Sequence, residues 1–221
     1  MSRILVIGAS GGVGSALVAG WKARGSDVVT LSRSANGMDL TDEASVGSVL
    51  SGLTGTFDAV VVATGALEIE GAGPEKSIRA VTQKSMLDQF ALNAVGPALV
   101  LRHAGDLLPR EERAVFAVLS ARVGSIGDNR IGGWISYRSA KAAVNQIVHT
   151  AAIELTRTHP KSICVALHPG TVATPFTEKY LGRHPAVAPE EAADNLIGVL
   201  EGLTPEDTGL FYDWAGKAVP W

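Results

Sequence analysis

Tyr137 and Lys141 stand four positions apart in the run Ser136-Tyr137-Arg138-Ser139-Ala140-Lys141. On a helix that spacing projects both side chains from one face. A free tyrosine has a pKa of about 10 and is a poor acid or base near neutrality. A neighbouring ammonium favours the phenolate and lowers that value. The pair therefore has the chemistry to move a proton at physiological pH. Alone, the pentapeptide fits an ordinary surface helix equally well.

A second signature lies near the N-terminus. Gly8-Ala9-Ser10-Gly11-Gly12-Val13-Gly14 follows an apolar strand pattern and runs into a helix. Glycines at such a turn let the backbone approach a pyrophosphate, and the helix N-terminus adds N–H donors and a favourable dipole. Gly8, Ser10, Gly11, Gly12, Val13 and Gly14 are thus candidates to cradle a dinucleotide. No Gly-Lys-Ser/Thr follows, so the turn is not a nucleoside-triphosphate loop. A carboxylate at the end of the second strand would suit the ribose diol of NAD, and an arginine the 2′-phosphate of NADP. The chain has Leu31-Ser32-Arg33-Ser34 there, without an acid. Ser32 and Arg33 therefore predict a preference for NADP(H) over NAD(H); the alternative is that Arg33 is a solvated loop residue.

These residues need a frame to hold them. Strands are predicted at Arg3–Ile7, Asp27–Leu31, Ala59–Ala63, Ala114–Leu119 and Ser162–Leu167. Helices are predicted at Val13–Arg24, Ala44–Leu53, Lys76–Leu92 continuing to Leu107 with an adjustment at Gly96-Pro97, Tyr137–Thr158 and Pro189–Gly202. Gly65–Glu75, rich in glycine and acid, reads as a loop near the edge of the site. Strands that are apolar throughout belong to a parallel sheet covered on both faces. Their alternation with helices predicts a doubly wound parallel sheet. The 221 residues show no linker or repeat, so residues 1–221 read as one domain.

Composition removes several classes of function. The formal net charge of −3, with scattered Arg and Lys, gives no electrostatic support to a nucleic-acid or anionic-membrane partner. The five histidines are far apart and none has metal-ligand spacing to another. Cys164, the one cysteine, sits in an apolar run and reads as a buried strand thiol. No apolar segment reaches ~18 residues, and the N-terminus is a strand pattern rather than a leader. These features predict a soluble cytoplasmic protein.

Taken together, the chain resembles the short-chain dehydrogenase/reductase family over essentially its whole length. The two signatures occur in the family's order. Further matches are Asp39-Leu40, Asn93 in Leu92-Asn93-Ala94-Val95-Gly96, and Pro169-Gly170-Thr171-Val172-Ala173-Thr174. Gly124-Ser125-Ile126-Gly127-Asp128-Asn129, Gly132-Gly133-Trp134, Pro74-Glu75-Lys76-Ser77 and the ending Pro220-Trp221 resemble the subgroup of C-factor signalling proteins and sniffer-like carbonyl reductases. The resemblance implies a Rossmann fold. It implies cofactor contacts at Asp39 and Leu40 in an adenine pocket, at Thr64 and Gly65, and at Tyr137, Lys141, Pro169, Gly170, Val172 and Thr174. It also implies that Tyr137 is the general acid, that Lys141 tunes it and binds ribose hydroxyls, and that Asn93 anchors a water between Lys141 and solvent. The substrate class implied is a ketone or aldehyde, or the corresponding alcohol, and the assembly a homodimer or homotetramer.

Two departures qualify the match. Val62-Ala63-Thr64-Gly65 replaces the family's Asn-Asn-Ala-Gly. Ala121 occupies the position of the serine that usually orients the substrate carbonyl. Ser125 and Ser120 are the available substitutes, and strand alternation favours Ser125. Ser125 as a plain loop hydroxyl remains the alternative. Phe176, Tyr180 and Leu181 are candidates for a substrate lid or for simple packing, and Trp134 for a pocket wall or a subunit interface. Two readings stay open: an NADPH-dependent carbonyl reductase, and a nucleotide-binding regulatory or signalling protein with little catalysis.

Overall fold

A computed structural model describes residues 1–175, 177–180 and 185–221. Six strands form one parallel sheet: β1 (Arg3–Ile7), β2 (Asp27–Leu31), β3 (Ala59–Val62), β4 (Ala114–Leu119), β5 (Ser162–His168) and β6 (Phe211–Asp213). Their order across the sheet is β2-β1-β3-β4-β5-β6. The helices are α1 (Gly12–Ala23), α2 (Arg33–Asn36), α3 (Glu43–Ser51), α4 (Gln83–Phe90), α5 (Gly96–Leu101), α6 (Ala104–Leu107), α7 (Ile135–Leu155) and α8 (Pro189–Gly202). This is the doubly wound sheet that the alternation of elements predicted.

The continuous apolar strands follow from two separate cores. Leu5, Ile7, Val60, Val62, Phe116 and Cys164 point to one face, where Val144 and Val148 of α7 cover them. Ile4, Val6, Val61, Val115, Ala117 and Ile163 point to the other, against Leu17 and Trp21 of α1 and Leu196 and Ile197 of α8. Neighbouring residues on a strand face opposite sides, so a strand between two helical layers has no side left for polar residues.

β1 has β2 on one side and β3 on the other. Strand connections therefore reverse direction there, and the crevice beyond the carboxyl ends of the strands is where such folds take ligands. The glycine turn follows β1, Thr64-Gly65 follow β3, Ser120-Ala121 follow β4 and Pro169-Gly170 follow β5. These four signatures thus emerge at strand ends along this edge.

One expectation needs correction. The region 76–107 is not one helical run. Residues 76–82 are irregular apart from a short 3-10 turn at Ile78–Ala80, and α4 starts only where the Thr82 hydroxyl accepts the Ser85 N–H at 3.1 Å. A threonine cap sets the boundary that hydrophobic periodicity could not. Ala91–Val95 form a π-helical turn between α4 and α5. β6, only three residues long, was not foreseen.

Candidate active site

The structure gathers Gly65, Asn93 and Lys141 at one point. A Cβ on Gly65 would lie 2.8 Å from Asn93 Oδ1 and 3.3 Å from Lys141 Nζ, and its φ is +151°. Only glycine brings the backbone this close. The Asn93 amide is spent on that loop: Oδ1 accepts the Ala66 N–H at 3.2 Å, and Nδ2 donates to Ala66 O at 2.9 Å and to Gln89 Oε1 at 2.7 Å. Gln89 in turn donates to Leu67 O at 3.0 Å. The π-helical turn holding Asn93 is a form often found at functional sites. Gln89, one helical turn before Asn93, escaped the sequence reading, although the spacing of two amides was its available signal.

Lys141 is 3% exposed and donates to the carbonyl of Leu119, the last residue of β4, at 3.0 Å. Its ammonium stands 5.8 Å from the centre of the Tyr137 ring, and Tyr137 is 5% exposed. Burial pulls the Lys141 ammonium down to about 8 and pushes the Tyr137 phenol above its ordinary value. The expectation that Lys141 lowers the phenol is therefore reversed in the chain by itself. A low-dielectric surrounding disfavours both charged forms, and here it outweighs their attraction. Near neutrality Tyr137 is a protonated phenol and Lys141 is still mostly an ammonium.

Gly124 presses on the same helix, since a Cβ there would meet the Lys141 carbonyl carbon at 2.7 Å. Arg138 ties the preceding loop down, donating to Gly133 O at 2.9 Å, Val123 O at 3.2 Å and Gly132 O at 3.3 Å. Ser120 turns to α7, donating to Asn145 Oδ1 at 2.6 Å. Ser125 is buried; its hydroxyl donates to the Pro220 carbonyl at 2.5 Å and accepts the Asp128 N–H at 3.1 Å. Its proton is thus held by the C-terminal segment, and it could serve a substrate only by releasing Pro220. His168, at the end of β5, has a buried Nδ1 with no partner, and burial pulls it down to about 4, Arg122 adding and Asp213 opposing.

The glycine turn is built for close approach. A Cβ on Gly14 would lie 2.2 Å from Gly8 O, and one on Gly12 would strike Thr174 Cγ2 at 2.5 Å. The loop after β5 thus closes onto the turn after β1. Gly11 caps α1 without a side-chain bond, and no acid lies in the first turn, so the dipole is left for an anion. Ser10 and Gly11 are exposed, while Val13 is half-buried. Thr64 Oγ1 is buried without a partner beside Gly8. Gly170, with φ +80°, packs against Trp214, and Val172 is buried. These features fit a dinucleotide laid from the α1 N-terminus to the loop after β5.

At the far end, Ser32 is buried and its hydroxyl accepts the Ala35 N–H at 3.2 Å, capping α2. Arg33 is exposed. Bonds from the Thr41 N–H and hydroxyl hold Asp39 below the usual carboxylate range, with Arg33 helping. Leu40 is buried against Gly96. A large surface cleft lined by Asp42, Leu99, Arg102 and His103 lies apart from Tyr137 and has no place in this chemistry. Phe176 and Leu181, and the side chain of Tyr180, lie outside what the structure describes.

Residues 23–209 match the protein-family profile described as enoyl-(acyl carrier protein) reductase. The chain is 31% identical over 236 residues to 1-hydroxy-2-glutathionyl-2-methyl-3-butene dehydrogenase of Rhodococcus sp. strain AD45, covering all of both chains. This chain is a short-chain dehydrogenase/reductase. C-signal of Myxococcus xanthus is 34% identical over 146 residues, spanning 64% of this chain and 81% of that protein. Among solved structures, a short-chain dehydrogenase/reductase from Burkholderia multivorans with bound NADP superposes with a TM-score of 0.81 at 25% identity, covering 100% of this chain and 99% of that one. The carbonyl reductase Sniffer of D. melanogaster superposes with a TM-score of 0.81 at 20% identity over both full chains and shares the fold. The chain is thus an oxidoreductase of this family. Among the described residues, no helix is long and apolar enough to cross a membrane.

Proposed function

We propose that this short-chain dehydrogenase/reductase reduces a ketone or aldehyde with NADPH, Tyr137 acting as the general acid. The observation that carries the reading is the buried Tyr137 with the Lys141 ammonium 5.8 Å from its ring centre, next to a turn suited to a dinucleotide. NADPH, when bound, supplies the hydride. Gly8, Ser10, Gly11, Gly12, Val13, Gly14, Thr64, Gly65, Val172 and Thr174 would hold its phosphates and nicotinamide end. Arg33 and Ser32 would meet the 2′-phosphate, and Asp39 and Leu40 the adenine side. NADP in the Burkholderia multivorans relative supports this cofactor.

Tyr137 then gives its proton to the alkoxide oxygen as it forms, which is general acid catalysis. At neutral pH the phenol carries the proton that this step requires. Lys141 stabilises the resulting phenolate, and its own value of about 8 lets it relay a proton outward. Asn93 fixes the loop that brings Gly65 against Lys141, and with it the outlet for that proton. The test is NADPH oxidation followed by absorbance with 4-nitrobenzaldehyde, 2,3-butanedione and 1,4-naphthoquinone. Wild type should turn over at least one of these, and Tyr137→Phe should lose about 10²–10⁴-fold in kcat while binding NADPH normally. Turnover by Tyr137→Phe at the wild-type rate would refute the acid assignment.

Ala121 favours a second reading, a dinucleotide-binding regulator with little catalysis, because the carbonyl lacks its usual hydroxyl. Tight NADPH binding without turnover of any carbonyl compound would select that reading.

A further inference from the structure

The helix carrying Tyr137 and Lys141 starts on a residue ill suited to start one. Trp134 is its N-cap, lies in the left-handed region at φ 54°, and makes no side-chain capping bond. Indole has no acceptor for the exposed N–H groups of a first turn. The first bond of the ladder runs from the Arg138 N–H to Trp134 O at 2.8 Å. Residues 135–137 precede that donor and depend on contacts from outside the helix.

Glu75 supplies such contacts at Trp134 and Ser136. Its main-chain carbonyl accepts the Trp134 N–H at 2.5 Å. Its carboxylate accepts the Ser136 N–H at 3.2 Å and also the Ser136 hydroxyl. Glu75 is only 7% exposed, and a carboxylate removed from water needs such partners. The positive end of the helix dipole adds to their pull. A Cβ on Gly133 would come within 3.4 Å of Glu75 O, so the chain entering the helix lies directly over this residue. Glu75, Gln89, Ser136 and Tyr137 line one small cleft. Glu75 therefore grips the cap through its main chain and the residue immediately before the acid through its carboxylate.

We propose that Glu75 is a positioning residue that fixes the first turn of α7 and so aims the Tyr137 hydroxyl. This rests on the reading of Tyr137 as the acid. Glu75→Ala should lower kcat by about 10- to 100-fold, the cost of a misplaced reacting group. The NADPH dissociation constant, read by fluorescence titration, should change less than about twofold, because most of the proposed cofactor contacts lie on other loops. Glu75→Gln keeps an acceptor for the Ser136 N–H and should retain kcat within about fivefold. Hydrogen exchange of amides 134–138 should quicken in Glu75→Ala even if the carbonyl panel finds no substrate.

Arg113→Ala separates positioning from stability. Arg113 donates to Leu200 O at 2.7 Å and Leu203 O at 2.8 Å, beside the amino end of β4 and away from the strand ends that carry the site. It should lower the melting temperature yet leave kcat and exchange at 134–138 at wild-type values. Two results would overturn the proposal: wild-type exchange and kcat in Glu75→Ala, or an equal loss of kcat in Arg113→Ala. If Tyr137→Phe is fully active, the acid reading fails first. If Tyr137→Phe is inactive while Glu75→Ala is normal, only the positioning role fails.

Discussion

Gly65→Ala probes the junction on which the site depends. The added methyl would sit 2.8 Å from Asn93 Oδ1 and 3.3 Å from Lys141 Nζ, at φ +151°. That conformation alone costs an L-residue about 1–3 kcal/mol. The clash must also displace the Asn93 amide, which holds both the N–H and the carbonyl of Ala66; losing one such bond costs about 1 kcal/mol. The sum of about 2–4 kcal/mol corresponds to a melting temperature lowered by about 5–15 °C for a chain of this length. Displacement of Lys141 should also reduce kcat by about tenfold or more. Gly37→Ala is the control: its φ is +69°, but nothing lies within 4 Å of the new methyl, so it measures backbone strain without the clash. Far-UV circular dichroism melts and NADPH-oxidation kinetics on both variants give the comparison. If Gly65→Ala matches Gly37→Ala in melting temperature and kcat, the close packing of Gly65, Asn93 and Lys141 does not matter as argued.

Arg33→Ala should raise the KM for NADPH by about 10- to 100-fold, a charge-assisted phosphate bond being worth about 1.5–3 kcal/mol, while the KM for NADH stays put; equal changes for both would remove Arg33 from the 2′-phosphate. Lys141→Met should abolish turnover yet stabilise the protein. The ammonium falls from 10.5 in the open chain to about 8 when folded, so below pH 8 its burial opposes folding by at most about 3 kcal/mol. Wild type should gain stability as pH rises from about 8 to 10.5, where only the unfolded chain keeps the proton, and the advantage of the Met variant should shrink over that window. Denaturant melts across pH that show no such convergence would contradict the burial argument. Ser125→Ala should cost stability, through Pro220 and Asp128, but leave kcat within about tenfold; a loss of about 10³-fold or more would mean that Ser125 leaves Pro220 and holds the substrate.

Much of the frame was legible because strands buried on both faces cannot hide. Arg3–Ile7 and Ala114–Leu119 end where their apolar runs do. β6 escaped because three residues carry no periodicity and the pairing of His168 with Asp213 is a long-range event. Tyr137, Lys141 and the glycine turn were readable because their chemistry depends on local spacing. Glu75 was visible only as part of a matching tetrapeptide, since its partners lie 61 residues away. The same holds for Ser125, whose hydroxyl is claimed by a carbonyl 95 residues downstream. The Tyr137 phenol was misjudged for a related reason: spacing reveals the nearby charge but not the depth of burial that outweighs it.

Those long reaches have a consequence for how the molecule comes together and comes apart. Glu75 meets Ser136, Asn93 meets Ala66 and Ser125 meets Pro220, each across a wide stretch of chain. Contacts of that kind close late in folding, after the loops between them have lost their freedom. The strands and α7 are held by two deep cores, whereas the site is a set of single clasps between loops. Rising denaturant should therefore open the clasps while the sheet still stands, and activity should vanish before helical signal does. Short of global unfolding, the protein would then pass through a form that keeps its sheet and helices but has lost its enzyme.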